Sequence, residues 1–174
     1  MNHRTVRRAL LVLPALTAAG LALATMPATA QQLATSASCA TLSVPADITP
    51  ALGPTASPIT ATGTGGTAAC SGTVDGAAID SSVPAVFNLT ASSPSSSCAD
   101  VGGGTGKFGL DVTDKAGTHH SIAGSFSWKA GNQGAITLTG QLAASGGLRP
   151  ITGNCTTAPL SRASFDLTNG TVNV

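Results

Sequence analysis

The chain has 174 residues, of which 42% are hydrophobic but only 3% aromatic and 9% charged, and its formal net charge is +1. So few cations and rings exclude the charge field and stacking platforms that nucleic-acid binding uses. A small net charge with moderate hydrophobicity also points away from disorder, and the abundance of Gly, Thr, Ser, Ala and Val over helix formers points to an all-β domain rich in turns.

Residues 1–30 read as a cleavable signal peptide: a basic "MNHRTVRR", an apolar "ALLVLPALTAAGLALA", and the small-residue cleavage pattern Ala28-Thr29-Ala30. Pro14 and Gly20 interrupt the apolar run, which is too short for a membrane anchor, so no integral span is expected in the mature chain. Arg7-Arg8 partly resembles a twin-arginine signal, but Val6 stands where a polar residue is usual, which favours the general secretory route. Removal of this segment takes away Arg4, Arg7 and Arg8, leaving five basic residues against seven acidic ones, all of them Asp. The remaining 144 residues are one domain's worth: 31–38 as a flexible N-terminus and 39–174 as a single β domain.

In chain order, "TLSVPADI" alternates as a first strand, with Pro45 favouring a sheet edge. "ITATGTGGTAACSGTV" has strand character broken at Gly65-Gly66, and Asp75-Gly76 is a two-residue hairpin turn. Val83, Ala85, Phe87 and Leu89 share one strand face, and "SSPSSSCADVGGGTG" reads as loop. Alternating apolar sets follow at Phe108/Leu110/Val112, Ile122/Phe126/Trp128 and Ile136/Leu138/Leu142. Asn169-Gly170 carries the signature of a type I′ turn that would set Leu167 against Val172 and Phe165 against Val174. Seven to nine short strands with frequent turns predict an antiparallel β-sandwich of immunoglobulin-like architecture, with an open barrel as the second choice.

Cys39, Cys70, Cys98 and Cys155 all lie beyond the signal segment, so two disulfides are expected in an oxidising compartment. Four cysteines allow three pairings, which the sequence does not decide; Cys39–Cys70 with Cys98–Cys155 is the preferred one. None of the spacings approaches C-x-x-C, which disfavours zinc.

The segment "GLDVTDKAGTHHSIAGSFSW", Gly109 to Trp128, concentrates the candidate site residues Asp111, His119, His120 and Trp128. A three-residue loop 115–117 makes Asp114 oppose Thr118 and pairs Val112 with His120, Leu110 with Ile122 and Phe108 with Gly124. Adjacent strand residues face opposite ways, so His119 and His120 cannot both ligate one metal, and no metal or cofactor is expected. His119 falls on the polar face, opposite Thr113 and diagonal to Asp111, and Ser121 completes a triad by residue type alone, without a nucleophile elbow or an oxyanion hole. "Gly104-Thr105-Gly106-Lys107-Phe108-Gly109" matches a dinucleotide fingerprint literally, but a strand follows it where a helix is required.

The pieces "SSSCADVGGGTGKFGL", "AITLTGQLAASGG" and "GNCTTAPL" resemble small four-cysteine secreted actinobacterial β-sandwich proteins of uncharacterised function. The resemblance implies a secreted sandwich and brings no active site with it. In general class the chain is also similar to the apoproteins of enediyne chromoproteins, although its cysteines are more widely spaced. The resulting expectation is a secreted, monomeric, non-enzymatic protein acting by surface interaction with an envelope or extracellular partner. A carrier of apolar small molecules is the alternative, and a secreted hydrolase comes third.

Overall fold

The computed structural model describes residues 34–174; the expected signal peptide lies outside the described residues. Nine strands form one antiparallel sheet: β1 (Ser36–Leu52), β2 (Ser57–Val74), β3 (Ala77–Ala78), β4 (Ala85–Ser96), β5 (Gly103–Thr113), β6 (His119–Ala130), β7 (Ala135–Gly140), β8 (Leu142–Thr152) and β9 (Leu160–Asn173). Each strand pairs with its sequence neighbours, save that β2 skips the short β3 to pair with β4, and β1 pairs with both β2 and β9. The sheet therefore closes into an eight-stranded up-and-down barrel, with β3 appended to β2.

The all-β, antiparallel and disulfide expectations hold, but the sandwich does not: there is one closed sheet, and its strands reach 18 residues. Long strands bend round a barrel only where bulges and glycines let them. The β1–β2 register shifts between Ser43 and Ala46, opposite Gly63 to Gly66 on β2, and β2 slips against β4 over the same glycines. What reads in the sequence as a break at Gly65-Gly66 is thus a bend within one continuous strand, with Gly65 at φ 68°.

Pro45 is not at an edge. It pairs with Ser164 of β9 on one side and falls in the bulge towards β2, where its missing N–H leaves no ladder bond unmade. Asn169-Gly170 is likewise not a turn. Both residues lie inside β9, where Asn169 at φ 53° forms a bulge against β8 while the register with β1 runs on unshifted. Leu167 therefore faces Leu42 and Gly146, and Val172 faces Ala37 and Leu142. The stretch read as loop before Gly106 is mostly strand, because β4 runs to Ser96 and β5 begins at Gly103. Val83 precedes β4 and is exposed, while Leu142 opens β8 rather than continuing β7. From Ser36 the supposed flexible N-terminus is part of β1, and Thr35 and Ala37 are buried.

Eight strands enclose a space just wide enough for side chains to fill. Leu42, Val44, Ile48, Phe87, Leu110, Phe126, Trp128, Phe165 and Leu167 occupy it, interleaved with Ala46, Ala61, Ala68, Ala91 and Ala163. Two aromatic rings lie over glycines directly across the β5–β6 ladder: Phe108 over Gly124 and Phe126 over Gly106. A cavity between Ile48, Leu52, Trp128, Ile136 and Phe165 measures about 20 Å³. That is room for about one water, in an apolar lining.

Cys39 and Cys70 face each other across β1 and β2 and are bonded, with Cα atoms 4.0 Å apart. Cys98–Cys155 ties the β4–β5 loop to the β8–β9 loop at one barrel end, where Cys98 N–H also donates to Gly53 O at 2.8 Å. Both preferred pairings are the ones formed.

Two stability outcomes follow from this geometry. A Cβ on Gly66 would press on the Ser43 carbonyl, on Val44 Cβ at 2.5 Å and on the Phe87 carbonyl at 2.9 Å. Gly66→Ala is expected to cost about 2–3 kcal/mol in chemical denaturation, whereas Gly109→Ala, whose new methyl meets nothing nearer than Asn88 Cβ at 4.0 Å, leaves stability unchanged or slightly raised. Replacing Cys98 and Cys155 together by Ser opens a bridge of sequence separation 57 and should lower unfolding free energy by about 4 kcal/mol.

Candidate functional site

The β5–β6 hairpin folds in the register its sequence specifies, with Val112 against His120, Leu110 against Ile122 and Phe108 against Gly124. Asp114 N–H donates to Thr118 O and Gly117 N–H to Asp114 O, both at 2.9 Å, and Gly117 takes φ 85°. This places His119 and His120 on opposite faces, and their partners differ accordingly.

His120 lies at the barrel end away from Cys98–Cys155. Its Nε2–H donates to Asp114 Oδ2 at 3.0 Å, and its Nδ1 lies 3.6 Å from Asp75 Oδ2 in the β2–β3 turn. Asp114 is buried, and its other oxygen accepts from Ala116 N–H and Thr118 N–H, both at 2.8 Å. The His120 hydrogen bond, followed by that from Thr118, holds the Asp114 carboxyl below its ordinary value, against the opposing effect of burial. The segment after β3 closes onto the same hairpin, through Asp80 N–H to Thr113 O and Lys115 N–H to Ala78 O. His120 therefore fastens two turns across the barrel mouth. Its two carboxylates engage opposite ring nitrogens, so they cannot join the imidazole on one metal ion. Among the described residues no group of three or more His, Cys, Asp or Glu is placed to hold one.

His119 is exposed and meets its cross-strand partner Thr113, at 3.2 Å from Oγ1 to Nδ1, as the register predicts; the contact with the diagonal Asp111 does not form. Asp111 instead accepts from Ser121 Oγ at 2.5 Å, since the two are direct partners across the ladder. Serine and histidine are thus drawn to different neighbours, and no nucleophile–base pair forms between them. Trp128 is buried in the core, yet one edge of it also lines an open groove beside Gly102 to Gly104. Gly104, its cross-strand partner, leaves the Ser92 carbonyl open, and the indole N–H donates to that carbonyl at 3.2 Å. Of the four candidates, the hairpin brings Asp111, His119 and His120 near one another, each with its own structural partner, and sends Trp128 inward.

The outer wall holds an arrangement that strand-by-strand reading does not reveal. Thr49, Thr60, Ser92, Thr105, Ser127 and Thr139 are consecutive partners across β1, β2, β4, β5, β6 and β7, and all are exposed. At about 4.8 Å per strand they form one transverse row of hydroxyls. Two grooves meet on it, sharing Ser127 and Thr139. The larger, of about 700 Å³, is lined by Thr90, Thr105, Lys107, Ser125 and Gln141 among others. The smaller, of about 540 Å³, runs over Gly102 to Gly104 to Lys129 and Thr137. The signal available in the sequence was the hydroxyl-x-hydroxyl spacing of Thr60/Thr62, Thr90/Ser92, Ser125/Ser127 and Thr137/Thr139. Only the register aligns these pairs.

Three carboxyls, those of Asp80, Asp114 and Asp166, sit below their ordinary value of 3.8, held first by Ser82, His120 and Ser43 respectively. Above pH 3.8 folded and unfolded chains both carry these charges, and the stabilisation is complete. As pH falls through the lowered folded values the unfolded chain binds more protons and the stabilisation is lost. Thermal unfolding followed from pH 6 to pH 2 should therefore show Tm falling on the acid side. Asp114→Asn combined with Asp166→Asn should lower Tm at pH 6 and flatten that acid limb.

No family model, no curated protein and no solved structure matches this chain, so its chemistry is read from its own geometry.

Proposed function

We propose that this chain is an exported, monomeric, non-enzymatic binding protein that acts through the outer wall of its barrel, in the cell envelope or outside the cell. The observation that carries the reading is the contrast between a filled interior and an open, hydroxyl-lined exterior. A cavity of about 20 Å³ is far below the several hundred Å³ of a typical ligand pocket, which disfavours the apolar-carrier alternative. The grooves over β4–β7 have that size, but they are open to solvent and their rims carry hydroxyls, two lysines and Gln141, with Phe126 and Trp128 contributing only buried edges.

Other features agree. Two disulfides suit an oxidising compartment. The outward residues of β4 to β7 are mainly Ser, Thr and Lys while the inward ones are apolar, the reverse of a membrane barrel. Among the described residues no helix is long and apolar enough to cross a membrane. Closure leaves none of the eight barrel strands with a free edge on which a second copy could pair. The separate partners of Ser121 and His119 argue against hydrolase chemistry at the hairpin.

The test is cosedimentation of the purified protein with insoluble envelope polysaccharide, alongside native mass spectrometry. Retention in the pellet is expected, weakened several-fold by Thr105→Val with Ser127→Ala, which leave the fold intact. A retained apolar molecule whose binding quenches Trp128 fluorescence would instead restore the carrier reading.

A further inference from the structure

The described residues include five cations, and their partners differ. Arg149 reaches Asp166 at 3.4 Å and Arg162 reaches Asp47 at 3.6 Å. Lys115, on the hairpin tip, faces Asp80. None of the three lysines has a carboxylate of the described residues within 4.0 Å; Lys107 and Lys129 differ from Lys115 in their place on the outer wall. These two are exposed, stand on one face of the sheet, and line the two grooves, Lys107 the larger and Lys129 the smaller.

No acidic residue lines either groove. The carboxylates flanking them along the chain are turned to their own partners: Asp111 accepts from Ser121 Oγ at 2.5 Å and Asp100 from Gly102 N–H at 2.9 Å. Lys107 is the register partner of Ser125, and Lys129 stands four residues further along β6. At about 3.3 Å per residue the two cations are separated by about 13 Å along the strand. The Thr105–Ser127 pair of the hydroxyl row lies between them.

We infer that this face binds an acidic polysaccharide, its carboxylates at Lys107 and Lys129 and its hydroxyls along the row through Thr105 and Ser127. The inference rests on the outer-wall reading above and names its ligand class. Two unpaired cations in a wall free of acids complement a polyanion, and two separated point charges suit a polymer with spaced acidic groups. The hydroxyls between them match the donor and acceptor pattern of sugars. Single-stranded nucleic acid stacks its bases on exposed rings, and Phe126 and Trp128, although they edge the two grooves, are only 4% and 6% exposed. A peptide adding to the sheet would need a free barrel edge, which closure removes.

The experiment is affinity electrophoresis of the whole secreted protein in gels containing polygalacturonate, its fully methyl-esterified form, hyaluronate, or single-stranded DNA. Retardation is expected with polygalacturonate or hyaluronate, absent with the ester, and weakened by added salt. Lys107→Gln and Lys129→Gln should each weaken binding about threefold and together about tenfold, on the scale of exposed charge pairs. Lys115→Gln, an equal change in net charge at the far end of the barrel, should have no effect. Equal binding of the methyl ester, equal binding of DNA, insensitivity to the double substitution, or no retardation by either acidic polymer would each overturn the inference. If the protein still pellets with neutral polysaccharide through Thr105 and Ser127, the outer-wall reading survives that failure; if it does neither, both fall.

Discussion

Strand β1 is hydrogen-bonded on both sides, to β2 and to β9, and the rest of the molecule depends on that closure. A closed sheet has no edge to protect, so long strands built from Thr, Ser, Val and Gly can stand without a covering layer. Closure also demands curvature. It is supplied where Gly63 to Gly66 let β2 slip past β1 and β4, where Pro45 sits in the matching bulge, and where Asn169 bends β9. An eight-stranded barrel then sets the size of its own core. Alanines at 46, 61, 68, 91 and 163 make room for Phe87, Phe126, Trp128 and Phe165, which explains how a chain so poor in aromatic residues fills its interior.

The two barrel ends are secured by different chemistry. At one, Cys98–Cys155 joins two loops that no ladder connects. At the other, a charge-assisted hydrogen bond from His120 to the buried Asp114 draws the hairpin and the Asp75 turn together, and Ile79 is buried beneath the crossing segment. The histidine that stands out in the sequence is thus engaged in closing the fold. With the interior filled and both ends tied, the outer wall is the open surface, and there the polar residues form a pattern. The hydroxyl row is transverse to the strands, so it is a property of six strands together and of none singly.

The part of the fold legible in the sequence is the part governed by neighbours within about twenty residues. The β5–β6 hairpin is the clearest case: Asp114 and Gly117 set the turn, alternation sets the faces, and Phe108 opposite Gly124 confirms the register. Asp75-Gly76 works in the same way. Pro45 and Asn169-Gly170 show where such reading ends. A missing N–H fits a sheet edge or a bulge, and a left-handed Asn fits a hairpin turn or a bulge. The choice lies with the strands on either side, which are distant in sequence. The Asp111–His119 pairing failed for a smaller reason, since a direct cross-strand partner, Ser121, outcompetes a diagonal one.

The sequence by itself determined the all-β class, the inward and outward faces of the β5–β6 hairpin, two local turns and the presence of two disulfides, because these follow from side-chain chemistry and from a period of two. The tertiary structure alone decided that the sheet closes on itself, that β9 continues as one bent strand through Asn169 alongside β1, and that Lys107 and Lys129 flank a row of hydroxyls. Those outcomes depend on register between strands far apart in the chain, and register is set by how bulges and glycines share the curvature around the whole barrel. No single segment carries that information.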